Sequence, residues 1–155
     1  MITLSLPLEI QIQLKGALIS ETDHECGGIL MGEHVNHNHF VVRRITIQRK
    51  GTFASFIREL SDALSGLRDF FIQTKKNYKR FNYLGEWHSH PSFNTNPSGK
   101  DHMTMHDLIS DVTCNATFIL LMIVKLNKFG ALEGSVNTYL PNGKHYSSIL
   151  QLENS

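Results

Sequence analysis

Apolar positions at the start of the chain follow two periods at once. Ile2, Leu4, Leu6, Leu8, Ile10, Ile12 and Leu14 alternate as a half-buried strand does, whereas Ile10, Leu14, Ala17 and Leu18 keep helical spacing. Pro7 suits the first turn of a helix, so the pattern predicts a short strand followed by a helix from about that residue. Glu25-Cys-Gly-Gly-Ile-Leu-Met-Gly reads as a buried strand with a glycine-rich start. Asn36-His37-Asn38 then predicts a hairpin turn into the β-branched alternation from Phe40 to Ile47.

Phe56, Leu60, Leu64, Leu67 and Phe71 recur at three- and four-residue intervals and predict a long amphipathic helix. Tyr83 to His90 is a short strand stopped by Pro91. Ser98 to about Asp111 is a helix with Met105, Leu108, Ile109 and Val112 as its apolar stripe. Ala116 to Leu126 and Leu132 to Tyr139, joined by a turn at Lys128-Phe-Gly, complete the strands. No repeat or low-complexity linker interrupts this order. The expectation is one domain over residues 1–155, of α/β or α+β class, with a central sheet and three helices.

Composition narrows the function classes. With 155 residues, 41% apolar and 19% charged, the chain can bury a real core and belongs with soluble globular proteins. Fifteen basic side chains nearly cancel fourteen acidic ones, which leaves no electrostatic footprint for nucleic acid. The apolar run from Phe118 to Val124 is too short to cross a bilayer, so no membrane association is expected. The first seven residues lack the basic start and apolar centre of a signal peptide. Cys26 and Cys114 do not make a disulfide framework, and a reducing cytoplasm is the expected compartment. Nine histidines, however, are many for this length.

Two of them carry the candidate chemistry. In GEWHSHPSFNTNPSGKD (Gly85 to Asp101), His88 and His90 are two apart on a strand and project from one face. Ser98-Gly-Lys-Asp101 has the pattern of a helix N-cap followed three residues later by an acid. A capping box alone accounts for Ser98 and Asp101 but not for the histidines. A chelate of two imidazoles and one carboxylate accounts for them as well, and it leaves a fourth tetrahedral position for water, as a catalytic zinc site requires. Zinc lowers the pKa of such a water towards neutrality. A general base is then needed, and both Glu25 and Glu86 are candidates, Glu86 sharing the strand face of the histidines. Periodicity does not choose between them.

The pattern His88-x-His90, seven residues, Ser98, two residues, Asp101 resembles the signature of the JAMM (MPN+, JAB) metallopeptidases. Glu25, in His-Glu-Cys-Gly-Gly-Ile-Leu-Met-Gly, resembles the acidic element of the same family. The resemblance implies a mixed, curved sheet flanked by three helices, of the kind shared with cytidine deaminases. It implies zinc held by His88, His90 and Asp101, with Glu25 as general base and then acid. Ser98 would steady the developing oxyanion or the water, and Glu86 would fall to orientation or substrate contact. The implied reaction is hydrolysis of an amide, often the isopeptide bond after the C-terminus of a ubiquitin-like protein. Few residues separate Asp101 from the next strand, which resembles the small stand-alone JAB peptidases of bacteria and archaea. Some of these accompany ubiquitin-activating-like and conjugating-like proteins, including those of CBASS-type antiphage operons. Two other readings stay open: a zinc-free MPN scaffold, and a hydrolase of a sulfur-carrier protein or other small amide.

The remaining candidates weigh less. His34, His37 and His39 lie around a hairpin without an accompanying acid or thiol, as solvated turn residues do. His102 and His106 are four apart on a helix but lack the glutamate of the His-Glu-x-x-His pattern. Cys26 reads as a small buried residue, and it departs from the small hydroxyl residue expected after the family glutamate. The basic run Lys75 to Arg80 closes the long helix, where cations favour its dipole without a partner.

Overall fold

The computed structural model of the protein describes residues 1–20, 25–48, 61–90, 94–111 and 116–154, with backbone alone for 61–66. In chain order the elements are β1 (Thr3–Leu6), α1 (Leu8–Ser20), β2 (Gly27–Asn36), β3 (His39–Ile45), α2 (Ser61–Gln73), β4 (Phe81–Ser89), α3 (Gly99–Ser110), β5 (Ile119–Leu126), β6 (Leu132–Tyr139) and β7 (His145–Leu152). The strands close on themselves in the order β1-β3-β2-β4-β5-β6-β7. Parallel pairing of β1 with β3 and β7, and of β4 with β5, makes this sheet mixed. The expected α/β architecture is therefore present, with a curved mixed sheet and three helices among the described residues. Among the described residues no helix is long and apolar enough to cross a membrane.

The double periodicity at the start resolves at Pro7. Ile2, Leu4 and Leu6 are buried from β1, and Ile10, Leu14, Ala17 and Leu18 are buried from α1. The Pro7 carbonyl accepts from Ile10 and Gln11 N–H, so the helix starts directly after the strand. Phe56 and Leu60 of the long-helix pattern, and Pro91 and Val112, lie outside the described residues. The strand list, however, is one short. β7 follows Tyr139 through a turn with Asn142 and Gly143, the latter at φ +85°, and it pairs with both β6 and β1. Its pattern is weak because it exposes Ile149 and leaves Tyr146, Ser148 and Leu150 only half-buried. The Asn-Gly turn was its legible signal.

Two apolar clusters lie on opposite faces of the sheet. Leu120, Met122 and Val124 of β5 join α1, Leu30, Leu84 and Trp87 on one side. Ile119, Leu121 and Ile123 join Met105 and Ile109 of α3 on the other. Burial on both faces explains why β5 reads as a continuous apolar run.

The phase of β4 is set by an irregularity. Gly85 pairs with Leu30, but Tyr83 pairs with Met31, so Leu84 is an extra residue in the strand. Leu84 and Trp87 consequently share the α1 side although they differ in parity. Gly85 sits at φ +146°, and a Cβ there would meet the Leu120 carbonyl oxygen at 2.0 Å. Both conditions demand glycine. Gly85→Ala is expected to cost at least about 2 kcal/mol, through a strained φ and a backbone clash, read as a lower urea midpoint with an unchanged m-value.

Within the basic run, the exposed Arg80 reaches a buried acid. Arg80 Nε donates to Glu33 Oε2 at 2.7 Å, and Arg43 Nε donates to Oε1 at 2.9 Å. Burial alone would raise the Glu33 pKa, but the two guanidinium partners outweigh it and hold the carboxyl below its ordinary value. A depressed carboxylate stabilises the fold above its unfolded pKa, and that contribution fades as pH falls through the folded value. The stability gap between wild type and Glu33→Gln should therefore shrink below pH 4.5, as measured by urea unfolding from neutral to acid pH.

Candidate metal centre

The β2–β4 ladder assembles three parts of the site. Gly27 pairs with His88, and Cys26 and Ser89 follow in register, with Ser89 N–H donating to the Cys26 carbonyl at 2.9 Å. Cys26 N–H in turn donates to Ser89 Oγ at 3.0 Å. Glu25 directly precedes Cys26 and lies within the electrostatic reach of His90. Close approach of β2 to its neighbours needs the glycine pair, since a Cβ on Gly28 would meet the Thr46 carbonyl oxygen at 1.7 Å.

With Trp87 in the α1-side core, His88 and His90 turn toward α3, both 2% exposed, and their rings stack at 4.8 Å. His90 Nδ1 bonds the Asn94 carbonyl at 2.8 Å, which makes Nδ1 the protonated nitrogen and turns the Nε2 lone pair outward. Asp101 Oδ2 lies 3.4 Å from His90 Nε2 and 3.6 Å from His88 Nε2. These spacings are long for charge-assisted hydrogen bonds. They match the donor separation of roughly 3.3–3.5 Å around a tetrahedral ion with bonds of about 2.0–2.2 Å. The three donor atoms lie within 4.8 Å of one another. Two imidazole nitrogens and a carboxylate thus fit a zinc ion as three protein ligands.

The capping box predicted from Ser98 and Asp101 is also present. Ser98 Oγ accepts from Asp101 N–H at 3.1 Å, and Asp101 Oδ2 accepts from Ser98 N–H at 2.8 Å. The carboxylate is therefore aimed at the histidines by the cap. Burial would raise its pKa, yet His90, the charge of His88 and the Ser98 N–H bring it down to about 2. Burial pushes His88 down to about 4, against the pull of Asp101, which keeps that imidazole in its ligand form. For His90, the Asp101 carboxylate, the Asn94 carbonyl and the charge of Glu25 outweigh burial and raise the pKa.

The two candidate bases differ in surroundings. Glu25 is half-buried, and burial raises its pKa against the opposing charge of His90, with Asp101 adding to the rise. It thus lies within electrostatic reach of two of the three candidate ligands. Glu86 is fully buried and takes a 2.5 Å hydrogen bond from Tyr83 O–H. Burial pushes it up to about 8, against that bond, so it is a neutral acid at pH 7. A protonated carboxyl sealed from solvent is poorly suited to take a proton from water.

The other histidines separate. His34 stacks on Phe40 and His39 shares a 2.7 Å hydrogen bond with Ser5, while His37 stays in the exposed turn. His102 and His106, both half-buried, meet His145, a residue that sequence pattern did not single out because β7 itself was missed. Cys26 is buried as expected, whereas Cys114 and His24 lie outside the described residues.

A closed mixed α/β sheet, with a His-x-His strand facing an aspartate at the first turn of a helix, forms a candidate metal centre of the kind found in JAB domains. The family model for prokaryotic homologs of the JAB domain matches residues 16–133, and the chain belongs to that family. The family includes metal-dependent peptidases. The solution structure of protein DSY2949 from Desulfitobacterium hafniense is similar in fold, with a TM-score of 0.66 at 16% identity over 98% of this chain and 94% of that one. No curated protein matches the chain.

Asp101→Ala removes the only carboxylate of the ligand set and half of the capping box. Purified Asp101→Ala should lose the zinc bound at this site, read by elemental analysis. It should remain folded, with about 1 kcal/mol lost from the cap.

Proposed function

We propose that the protein is a zinc-dependent peptidase that hydrolyses the amide bond after the C-terminus of a ubiquitin-like protein, from a conjugate or a precursor. The observation that carries the reading is that Glu25 lies within the field of His90 and Asp101, two of the three candidate ligands. Bound zinc supplies a Lewis acid that activates water and polarises the scissile carbonyl. Glu25, as carboxylate, takes a proton from the attacking water and returns it to the leaving amine. Ser98 Oγ spends an acceptor site on Asp101 N–H, and a hydroxyl keeps its O–H for donation. That proton is free to meet the carbonyl oxygen as charge develops on it.

Beside the site, Asn96, Pro97, His102, Asn137 and Tyr146 line a polar cleft of about 470 Å³. Such a cleft suits a short extended peptide better than an apolar ligand. Membership of the family supports the ubiquitin-like substrate class, and the proposal extends it to activating-like and conjugating-like partners in the cytoplasm, of which an antiphage operon is one example.

A panel of fusions carrying ubiquitin-like C-termini tests the substrate class. At least one should be cut by zinc-loaded protein, and cleavage confined to sulfur-carrier fusions or small amides would redirect the assignment. Glu25→Ala should lower turnover by about 10²–10⁴ with zinc still bound. If Glu86→Ala did this and Glu25→Ala did not, the base would be misassigned. Ser98→Gly isolates the hydroxyl, because glycine at an N-cap costs only a few tenths of a kcal/mol. Its kcat should nevertheless fall about 10²–10³ fold.

A further inference from the structure

The three histidines gathered by α3 and β7 surround one buried tyrosine. Tyr139 is fully buried, and its ring lies 5.7 Å from that of His102, 5.1 Å from His106 and 5.4 Å from His145. His102 and His106 are one turn apart on α3, so they share a side of the helix. His145 is the cross-strand partner of Tyr139 and meets both of them. Its ring stacks on His102 at 4.3 Å, and its Nδ1 lies 2.9 Å from His106 Nε2.

We propose that His102, His106 and His145 form a second site, distinct from the His88, His90 and Asp101 set, for a transition-metal ion that prefers nitrogen donors. Two imidazole nitrogens on a tetrahedral metal with bonds of about 2.0–2.1 Å stand roughly 3.3–3.4 Å apart. The His106–His145 pair, at 2.9 Å, opens by about half an ångström as a metal replaces the shared proton. His106 Nδ1 is buried with no hydrogen-bond partner, so Nε2 is the outlet of that ring toward a ligand. His102 gives its Nδ1 to the Tyr139 hydroxyl at 2.8 Å, which leaves Nε2 as its donor. His106 and His145 supply the first two ligands, and His102, held by Tyr139 and stacked on His145, is the third imidazole beside them. Neutral imidazoles favour zinc, nickel or copper over magnesium or calcium. The surroundings separate this site from an ordinary surface histidine: a rigid tyrosine holds rings from two elements in contact.

Zinc titration of the tag-free full chain by calorimetry, with bound metal counted by elemental analysis, tests the proposal. Wild type should hold two equivalents, and Asp101→Ala should keep one. His106→Ala and His145→Ala, on different elements, should each keep one and bind the second weaker by more than about 10–100 fold. His37→Ala, in an exposed turn, should change nothing. Circular dichroism confirms that each variant is folded, and if one is not, the other carries the test. One equivalent in wild type, with none in Asp101→Ala, overturns the second site and leaves the first standing. Two equivalents that survive both His106→Ala and His145→Ala also overturn it. Loss of the Asp101-dependent equivalent alone, with the histidine-dependent one retained, supports the second site whether or not the chain proves to be a peptidase.

Discussion

The backbone contact between Gly85 and Leu120 is the constraint on which the rest of the site depends. β4 must run parallel beside β5 and still absorb an extra residue against β2, and only a residue without a side chain fits where the two backbones press together. The irregularity shifts the phase of everything downstream. Trp87 enters the α1-side core, with its indole N–H donated to the Thr46 carbonyl at 2.9 Å. Glu86, His88 and His90 are left facing α3. A regular β4 would reverse the faces of one end relative to the other, because side chains alternate with period two.

Stability and chemistry then meet in one carboxylate. Asp101 satisfies an N–H at the start of α3 and points at two imidazoles, so the cap that starts the helix also orients the candidate ligand. The arrangement holds a buried anion without leaving it unpaired, which burial would otherwise penalise heavily. It also explains why the capping and chelating readings of Ser98 and Asp101 do not compete. An acid at this position of a capping box is restrained from both sides, and second partners of this kind tune metal ligands.

Electrostatics divides the two glutamates that sequence left as alternatives. Both stand near the histidines, yet Glu86 is sealed beneath Tyr83 and stays protonated near neutrality, while Glu25 keeps contact with solvent at the mouth of the β2 strand. The same strand face therefore holds a neutral buried acid and two ligand-type imidazoles. The carboxylate able to exchange protons comes from a neighbouring strand.

Most of the elements, and the identity of His88, His90, Ser98, Asp101 and Glu25 as a related set, were legible in the chain, because period-two and period-3.6 burial and a spaced polar motif are local properties. β7 was not, since a strand exposed on one face and only half-buried on the other carries little apolar alternation, and closure of the sheet was lost with it. The meeting of His102, His106 and His145 depends on that closure and has no local signature. Nor could periodicity separate Glu86 from Glu25, because the difference between them is burial, a property of neighbours distant in sequence. The sequence by itself determined that His88, His90 and Asp101 could bind a metal and where every described strand except β7 lies. The tertiary structure decided which face each side chain takes and which acid stays protonated, because strand pairing and desolvation act only when distant segments come together.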